Sequence, residues 1–346
     1  AGITDVIVIG AGHAGLATSY LLSKEGIAHV ILERGEVANA WRERNWDSLK
    51  LLTPNWQTQL PGFEYKGNDP FGFMDMLELI ELLEAYAREC QAPVHTHTNV
   101  SSLRKIGDSY RVSTNRGEWR AKAVVLASGA CNIPTVPKVA AKVPAHIEQL
   151  TPLDYRSPQQ LRKGGVLIVG ASATGMQFAD EIAGAGFDVT IATGEHVRMP
   201  RRYRGRDILD WMGRCGILDQ SYEDVEDLAR GRRLPSSQLV GSNDKAILDL
   251  NSLREQGVKI AGRLMGINDQ VAQFSGSLRN VCALADLKMK RLLSAIDEFV
   301  ADEDDVPAAE SFADTIVDDS PLLMKKLDGE SIATIIWATG FKPDYS

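Results

Sequence analysis

The chain alternates between short, continuously apolar runs and longer stretches in which apolar residues recur every three or four positions. Val6-Ile7-Val8-Ile9, His29-Val30-Ile31-Leu32, Val124-Val125-Leu126, Val166-Leu167-Ile168-Val169, Val189-Thr190-Ile191-Ala192 and Ile335-Ile336-Trp337 are of the first kind. Short runs of this type bounded by turn residues are the pattern of parallel strands buried on both faces. Helical spacing predicts a helix after Gly15, with Leu16, Tyr20 and Leu21 on its buried face and Gly26 as its stop. A second is predicted over 74–90 with Leu77, Ile80, Leu83 and Tyr86 inward. A third follows Gly175, with Met176, Ala179, Ile182 and Ala183 on one face and Gly184 and Gly186 near its end. Short strands around 94–100, 110–114 and 119–122, separated by polar turns, read as an antiparallel insertion in a parallel domain.

From 203 to about 300 the pattern reads mostly helical, with turns at Pro235-Ser236-Ser237 and Gly241-Ser242-Asn243. Its clearest part is 283–300, where Leu284, Leu287, Ile296 and Phe299 mark an amphipathic face of the kind that usually packs a core. The acidic run Asp302-Glu303-Asp304-Asp305 reads as a solvated loop.

Two of the apolar runs lead directly into glycine-rich turns. After Ile9 comes Gly10-Ala11-Gly12-His13-Ala14-Gly15, and after Leu32 comes Glu33, 23 residues past Gly10. Gly10 permits a tight turn, Gly12 lets backbone approach a pyrophosphate, and Gly15 lets helix and strand pack closely. The helix N-terminus offers unpaired N–H donors, and Glu33 stands where an acid accepts a ribose hydroxyl. His13 reads as a variable position within the turn. After Val169 comes the second, Gly170-Ala171-Ser172-Ala173-Thr174-Gly175, but the same spacing now lands on neutral Thr193. Arg198, Arg201, Arg202, Arg204 and Arg206 follow, either a solvated loop or a site for a 2′-phosphate. A neutral strand end with a nearby arginine favours NADP(H) over NAD(H), whereas an acid would repel that phosphate. Two such fingerprints in one chain imply FAD and a nicotinamide held for hydride transfer.

The length of 346 residues suits two domains, and 44% hydrophobic with 24% charged residues is globular composition. A net charge of −8 argues against a nucleic-acid partner. No apolar run approaches the ~18 residues of a membrane helix. The first strand begins so early that no signal peptide is expected. Cys90, Cys131, Cys215 and Cys282 form no C-x-x-C pair, so a reduced, cytoplasmic protein is expected. No metal-ligand constellation is evident in the spacing.

The strand 124–126 ends in Ala127-Ser128-Gly129-Ala130-Cys131-Asn132-Ile133-Pro134-Thr135-Val136-Pro137, and a twin, Ala338-Thr339-Gly340, follows Trp337. Small residues there allow close approach to a cofactor, and the prolines stiffen the exit. With both fingerprints and both hinges in this order over nearly the whole chain, the sequence resembles class B flavin-dependent monooxygenases of the flavin-containing monooxygenase type. That family carries G-x-G-x-x-G, A-T-G-x4-P-x2-P, G-x-[SG]-x-x-G and a late A-T-G; here Ser128 replaces the hinge threonine. Where the family shows F-x-G-x-x-x-H, this chain has Ala145-His146-Ile147-Glu148-Gln149, without the tryptophan of the Baeyer–Villiger subgroup.

The resemblance implies an α/β fold with two Rossmann-like dinucleotide-binding domains. An FAD domain (1–160 plus 325–346) would hold an inserted NAD(P)H domain (161–324) with a helical segment at about 203–300. It implies NADPH reduction of FAD, addition of O2 to give a C4a-(hydro)peroxyflavin, and oxygenation of a small amine nitrogen or sulfur. Baeyer–Villiger oxidation and plain flavin reduction are the alternatives. Expected cofactor-lining residues are Arg34, Trp41, Trp46, Leu51, Thr53 and Val100, besides the glycine turns with His13 and Ala14, Glu33, Ala127, Ser128, Gly129, Thr193, Arg198, Arg201, Ala338, Thr339 and Gly340. Trp41, Trp46 and Trp56 either stack on the flavin or fill the core. Asn55 is the nearest match to a family asparagine at the reactive face, where an uncharged amide can hydrogen-bond, though a Pro-Asn turn explains it equally well. Related flavoproteins continue past the late A-T-G, so further FAD contacts are expected beyond residue 346. The expected partners are a small-molecule substrate and O2, with a homodimer allowed. A thiol–disulfide reductase would need a redox-active cysteine pair.

Overall fold

The computed structural model describes residues 2–242, 244, 247–303 and 305–345. Asn243 of the expected 241–243 turn, Asp304 of the acidic run and the chain ends Ala1 and Ser346 lie outside the described residues. Contacts divide the chain into residues 1–134 with 340–346, and residues 135–339.

In the first unit β1 (Gly2–Ile9) leads into α1 (His13–Lys24) and β2 (His29–Leu32). The short α2 (Asn39–Glu43) and the longer α3 (Met76–Glu89) follow. Then come β3 (Val94–His95), β4 (Val100–Ile106), β5 (Ser109–Thr114) and β6 (Gly117–Leu126). The sheet order is β3-β2-β1-β6-β5-β4. Here β1 pairs in parallel with β2 and β6, while β4, β5 and β6 form an antiparallel meander. The runs at 119–122 and 124–126 are thus one strand: β1 holds β6 from Gly2↔Trp119 to Ile9↔Leu126, and β5 holds its first half. The stretch 94–100 is instead two strands, because the chain turns at left-handed His97 (φ 52) from the parallel to the antiparallel edge. Val6 and Val8 pack with Leu16, Leu83 and Tyr86, while Ile7 packs with Leu32, Val112 and Trp119. Both faces of β1 are covered, which is why its run does not alternate. The end of β6 is less covered than its apolar run suggests, with Leu126 52% exposed.

The two helices predicted in this unit form where expected, but both faces are out of phase. α3 opens on a capping box, Asp75 with Glu78, and buries Leu79, Ile80, Leu83 and Tyr86, leaving Leu77 exposed. A strict repeat of three drifts around a helix, and nine residues at about 100° each set Leu77 opposite Tyr86. In α1 the buried stripe is Gly15, Leu16 and Ser19, and Leu21 faces outward.

The second unit carries a five-stranded parallel sheet built from β7 (Glu148–Leu150), β8 (Val166–Val169), β9 (Val189–Thr193), β10 (Lys259–Gly262) and β14 (Thr334–Trp337). Its order is β7-β14-β8-β9-β10. α4 (Ala173–Gly184) links β8 to β9 and buries Met176, Phe178, Ala179 and Ile182. The division between units therefore falls after 134 and 339, not after 160 and 324. The fully buried β14 requires neighbours on both sides and finds them in β7 and β8. Only Gly340 onward returns to the first unit, where Phe341–Lys342 pairs with Ile133–Pro134.

The 203–300 stretch is less helical than its pattern suggests. It supplies β10 and the hairpin of β11 (Leu264–Asn268) and β12 (Val271–Phe274), which β13 (Met324–Lys326) extends. The hairpin turns on left-handed Asp269 and Gln270 (φ 49 and 59), a turn written without glycine. The long helix α5 (Leu278–Phe299) buries Cys282, Ala285, Met289, Leu293 and Ile296, and Leu284, Leu287 and Phe299 are exposed. The same repeat-of-three drift separates Leu287 from Ile296.

Candidate cofactor-binding site

The two glycine turns stand at the carboxyl ends of β1 and β8, the end of a parallel sheet at which ligands bind. In the first, Gly10 adopts φ +109, and a β-carbon there would lie 2.5 Å from the Ala127 carbonyl. A β-carbon on Gly15 would lie 1.9 Å from the Gly10 carbonyl. Both glycines are therefore demanded by the protein itself. Gly12 is different: it has φ −85, and a β-carbon would meet open space. Nothing in the protein calls for glycine there, which is what a turn left open to an approaching phosphate requires. The residues fit a dinucleotide.

Glu33 is buried, and its carboxylate accepts the Ala11 N–H at 2.8 Å and the Gly35 N–H at 3.0 Å. It fixes the turn, and each oxygen keeps a lone pair for a second donor. The Thr98 N–H donates to the Glu33 carbonyl at 2.7 Å, which brings Val100 near the same strand end. His13, Ala14, Arg34 and Thr53 are exposed. Trp41 and Leu51 are half-buried against the core of the first unit, and Trp46 is buried.

At the hinge, the Ala127 N–H donates to the Ile9 carbonyl at 2.9 Å, and Gly129 takes φ +85. The Ser128 hydroxyl is buried and has no hydrogen-bond partner among the described residues. Asn132, which motif reading leaves unassigned, ties this hinge. Its amide donates to the Ser128 and Gly129 carbonyls (3.1 and 2.9 Å), and its oxygen accepts from Arg44 at 3.1 Å.

Asn55 is buried, and its amide is engaged with backbone. Nδ2 donates to the Asp69 carbonyl at 2.9 Å, and Oδ1 accepts the Met74 N–H at 3.0 Å. This is a staple between the 55 turn and the 69–74 loop, the turn role that the sequence allowed for this residue.

The second turn repeats the first. Gly170 has φ +112, with a β-carbon 2.2 Å from the Ala338 carbonyl, and that of Gly175 would lie 2.0 Å from the Gly170 carbonyl. Ser172 holds the N-cap position where the first turn has Gly12, followed by buried Ala173 and half-buried Thr174. The Thr339 hydroxyl donates to the Thr135 carbonyl, and Gly340 takes φ +91. Gln238, invisible to motif reading, donates from Nε2 to the Ala171 carbonyl at 2.8 Å across 67 residues of sequence. Thr193 ends β9 fully buried, and its hydroxyl has no hydrogen-bond partner among the described residues. Past it, His196 is buried with Nδ1 3.0 Å from the Gly194 carbonyl, and burial pushes its imidazole pKa down.

Two arginines expected at a phosphate are instead structural. Arg198 is buried between Asp249 (Nη2–Oδ2 2.5 Å) and Asp286 (Nη1–Oδ1 2.6 Å). Arg201 is buried against Asp207 at 2.5 Å. A guanidinium this far from water requires carboxylates around it, and these partners lie far off in sequence for Arg198.

Burial pushes all four cysteine thiols up, Cys282 to about 12, and none is in a disulfide. Thiolate chemistry at neutral pH is disfavoured at each. Among the described residues no cluster of His, Cys, Asp or Glu could hold a metal, and no helix is long and apolar enough to cross a membrane.

Residues 7–206 match the model of the family described as pyridine nucleotide-disulphide oxidoreductase. An uncharacterized CzcO-like oxidoreductase of Geobacillus kaustophilus is 36% identical over 63% of this chain and 62% of its own. A probable indole-3-pyruvate monooxygenase of Arabidopsis thaliana is 30% identical over 60% of this chain and 55% of its own. The chain thus matches less than two thirds of the length of these relatives. The flavin-containing monooxygenase of Stenotrophomonas maltophilia shares the fold, with a TM-score of 0.62, 20% identity, and coverage of 99% of this chain and 80% of that one. The chain belongs to the pyridine nucleotide-disulphide oxidoreductase family.

Proposed function

We propose that this protein is an NADPH-using FAD monooxygenase that transfers one oxygen atom of O2 to a small, soft nucleophile, an amine nitrogen or a sulfur. For a thioether the balance is thioether, O2, NADPH and one proton giving sulfoxide, water and NADP+. The observation that carries the assignment of cofactors is the asymmetry of the two strand ends. One closes on an acid that keeps two oxygens available, and the other closes on neutral Thr193. An acid suits the unphosphorylated ribose of FAD, and a neutral end tolerates the 2′-phosphate of NADP(H).

Bound FAD supplies the two-electron and oxygen chemistry, so the chain's residues need only bind, orient and exclude water. The Gly10–Gly12 turn and the N–H groups opening α1 receive the FAD pyrophosphate, and Glu33 receives a ribose hydroxyl. The Gly170–Gly175 turn does the same for the nicotinamide dinucleotide, held in shape by Gln238. A disulfide reductase is disfavoured by cysteines that are single and of raised pKa. The test is anaerobic mixing of the purified yellow protein with NADPH or NADH. Bleaching at least ten times more efficient with NADPH is expected, roughly the energy of one ion pair to the 2′-phosphate. Equal efficiency with NADH defeats the assignment of the second site.

A further inference from the structure

Of the five arginines that follow β9 in sequence, four are already paired with carboxylates. Arg198 and Arg201 are buried in ion pairs, Arg204 pairs with Asp297 (2.7 Å), and Arg206 pairs with Asp210 (3.1 Å). Arg202 donates to the Gly205 carbonyl at 3.0 Å. The acid nearest the strand end, Glu195, is held by Lys288 at 3.2 Å.

The neighbouring strand offers another cation. β10 pairs with β9 in parallel, Thr193 opposite Gly262, so Arg263 emerges beside the end of β9. Its guanidinium lies over Gly194: a β-carbon there would stand 3.2 Å from Nε, 3.5 Å from Nη2 and 3.7 Å from Cζ. Gly194 adopts no left-handed backbone, so its lack of a side chain serves this close approach. Arg263 is exposed, and among the described residues it has no carboxylate partner. Beside it, Thr193 is fully buried and its hydroxyl has no hydrogen-bond partner among the described residues, so no fixed negative charge at the strand end competes for the guanidinium.

We propose that Arg263, reaching across from the adjacent strand, is the residue that reads the 2′-phosphate and sets the preference for NADP(H). This rests on the assignment of the second glycine turn to the nicotinamide dinucleotide. A planar guanidinium can take a phosphate through two parallel N–H donors, which a lysine cannot copy. Because the group is exposed, its contribution is screened by salt.

The test is equilibrium binding of NADP+, NAD+ and 2′,5′-ADP to wild type, Arg263→Ala, Arg263→Lys and, as control, Arg202→Ala, read by calorimetry. The expected result is a loss of about tenfold or more in NADP+ and 2′,5′-ADP affinity for Arg263→Ala, with NAD+ unchanged. Arg263→Lys should recover part of the loss, Arg202→Ala should bind like wild type, and the NADP+ advantage should shrink as salt rises. Wild type preferring NADP+ while Arg263→Ala keeps that preference overturns the role of Arg263 and leaves the assignment of the turn intact. Equal losses for NADP+ and NAD+ in Arg263→Ala mark a structural role and also overturn it. Wild type that binds NAD+ as tightly as NADP+ overturns the coenzyme assignment itself.

Discussion

Glycines in the two turns serve three purposes that only the structure separates. Gly10 and Gly170 are required by backbone conformation, Gly15 and Gly175 by contact with a carbonyl, and Gly12 by neither. Gly12→Ala should therefore cost the FAD-free protein only the roughly 1 kcal/mol of a poorer helix N-cap, by thermal denaturation, while weakening FAD binding about tenfold, measured by flavin fluorescence titration. These glycines were legible in the sequence because their constraint is local. The fate of Arg198 was not, because its partners Asp249 and Asp286 lie 51 and 88 residues away. Arg198→Ala strands two buried carboxylates and should cost about 3–5 kcal/mol in chemical denaturation. The same variant should leave the ratio of NADP+ to NAD+ affinity alone, since the side chain is closed off from ligands. The engagement of the Asn55 amide by the Asp69 and Met74 backbone was likewise beyond the reach of motif position.

Strands were easier to read than helix faces. A run buried on both sides leaves no phase to misjudge, so β2 and β8 fall where their apolar runs do. Helix faces require an angle, and a repeat of three loses about 60° at each step. Leu83→Ala should accordingly cost about 2–5 kcal/mol and Leu77→Ala about 0.5 kcal/mol or less, by urea denaturation. β10 escaped because it is only four residues long, and the hairpin after it because it turns on Asp269 and Gln270 without glycine. The segment leaving β9 also holds buried His196, whose imidazole burial pushes below its ordinary value of 6.5. The unfolded chain then takes up a proton that the native imidazole refuses. Stability present above about pH 6.5 is lost as the pH falls from there through the lowered native value. Comparing urea midpoints at pH 7.5 and 5.5, His196→Gln should lose less stability over the interval than wild type.

For the whole molecule, the order of motifs carried the family, but not the line between units. The late apolar run 335–337 looks like the return to the first unit, yet it completes the second sheet between β7 and β8. Pattern reports that a strand is buried; it does not report beside which strand. The same order of motifs is shared by oxidoreductases that deliver their electrons elsewhere, so the destination of the electrons is the central claim. It is tested by supplying the FAD-loaded protein with NADPH, 18O2 and a panel of thioethers and amines, and following NADPH, labelled product and hydrogen peroxide together. One 18O atom in an S- or N-oxide is expected for each NADPH consumed. NADPH electrons recovered as hydrogen peroxide, or passed to a dye with every candidate left unoxygenated, would contradict it.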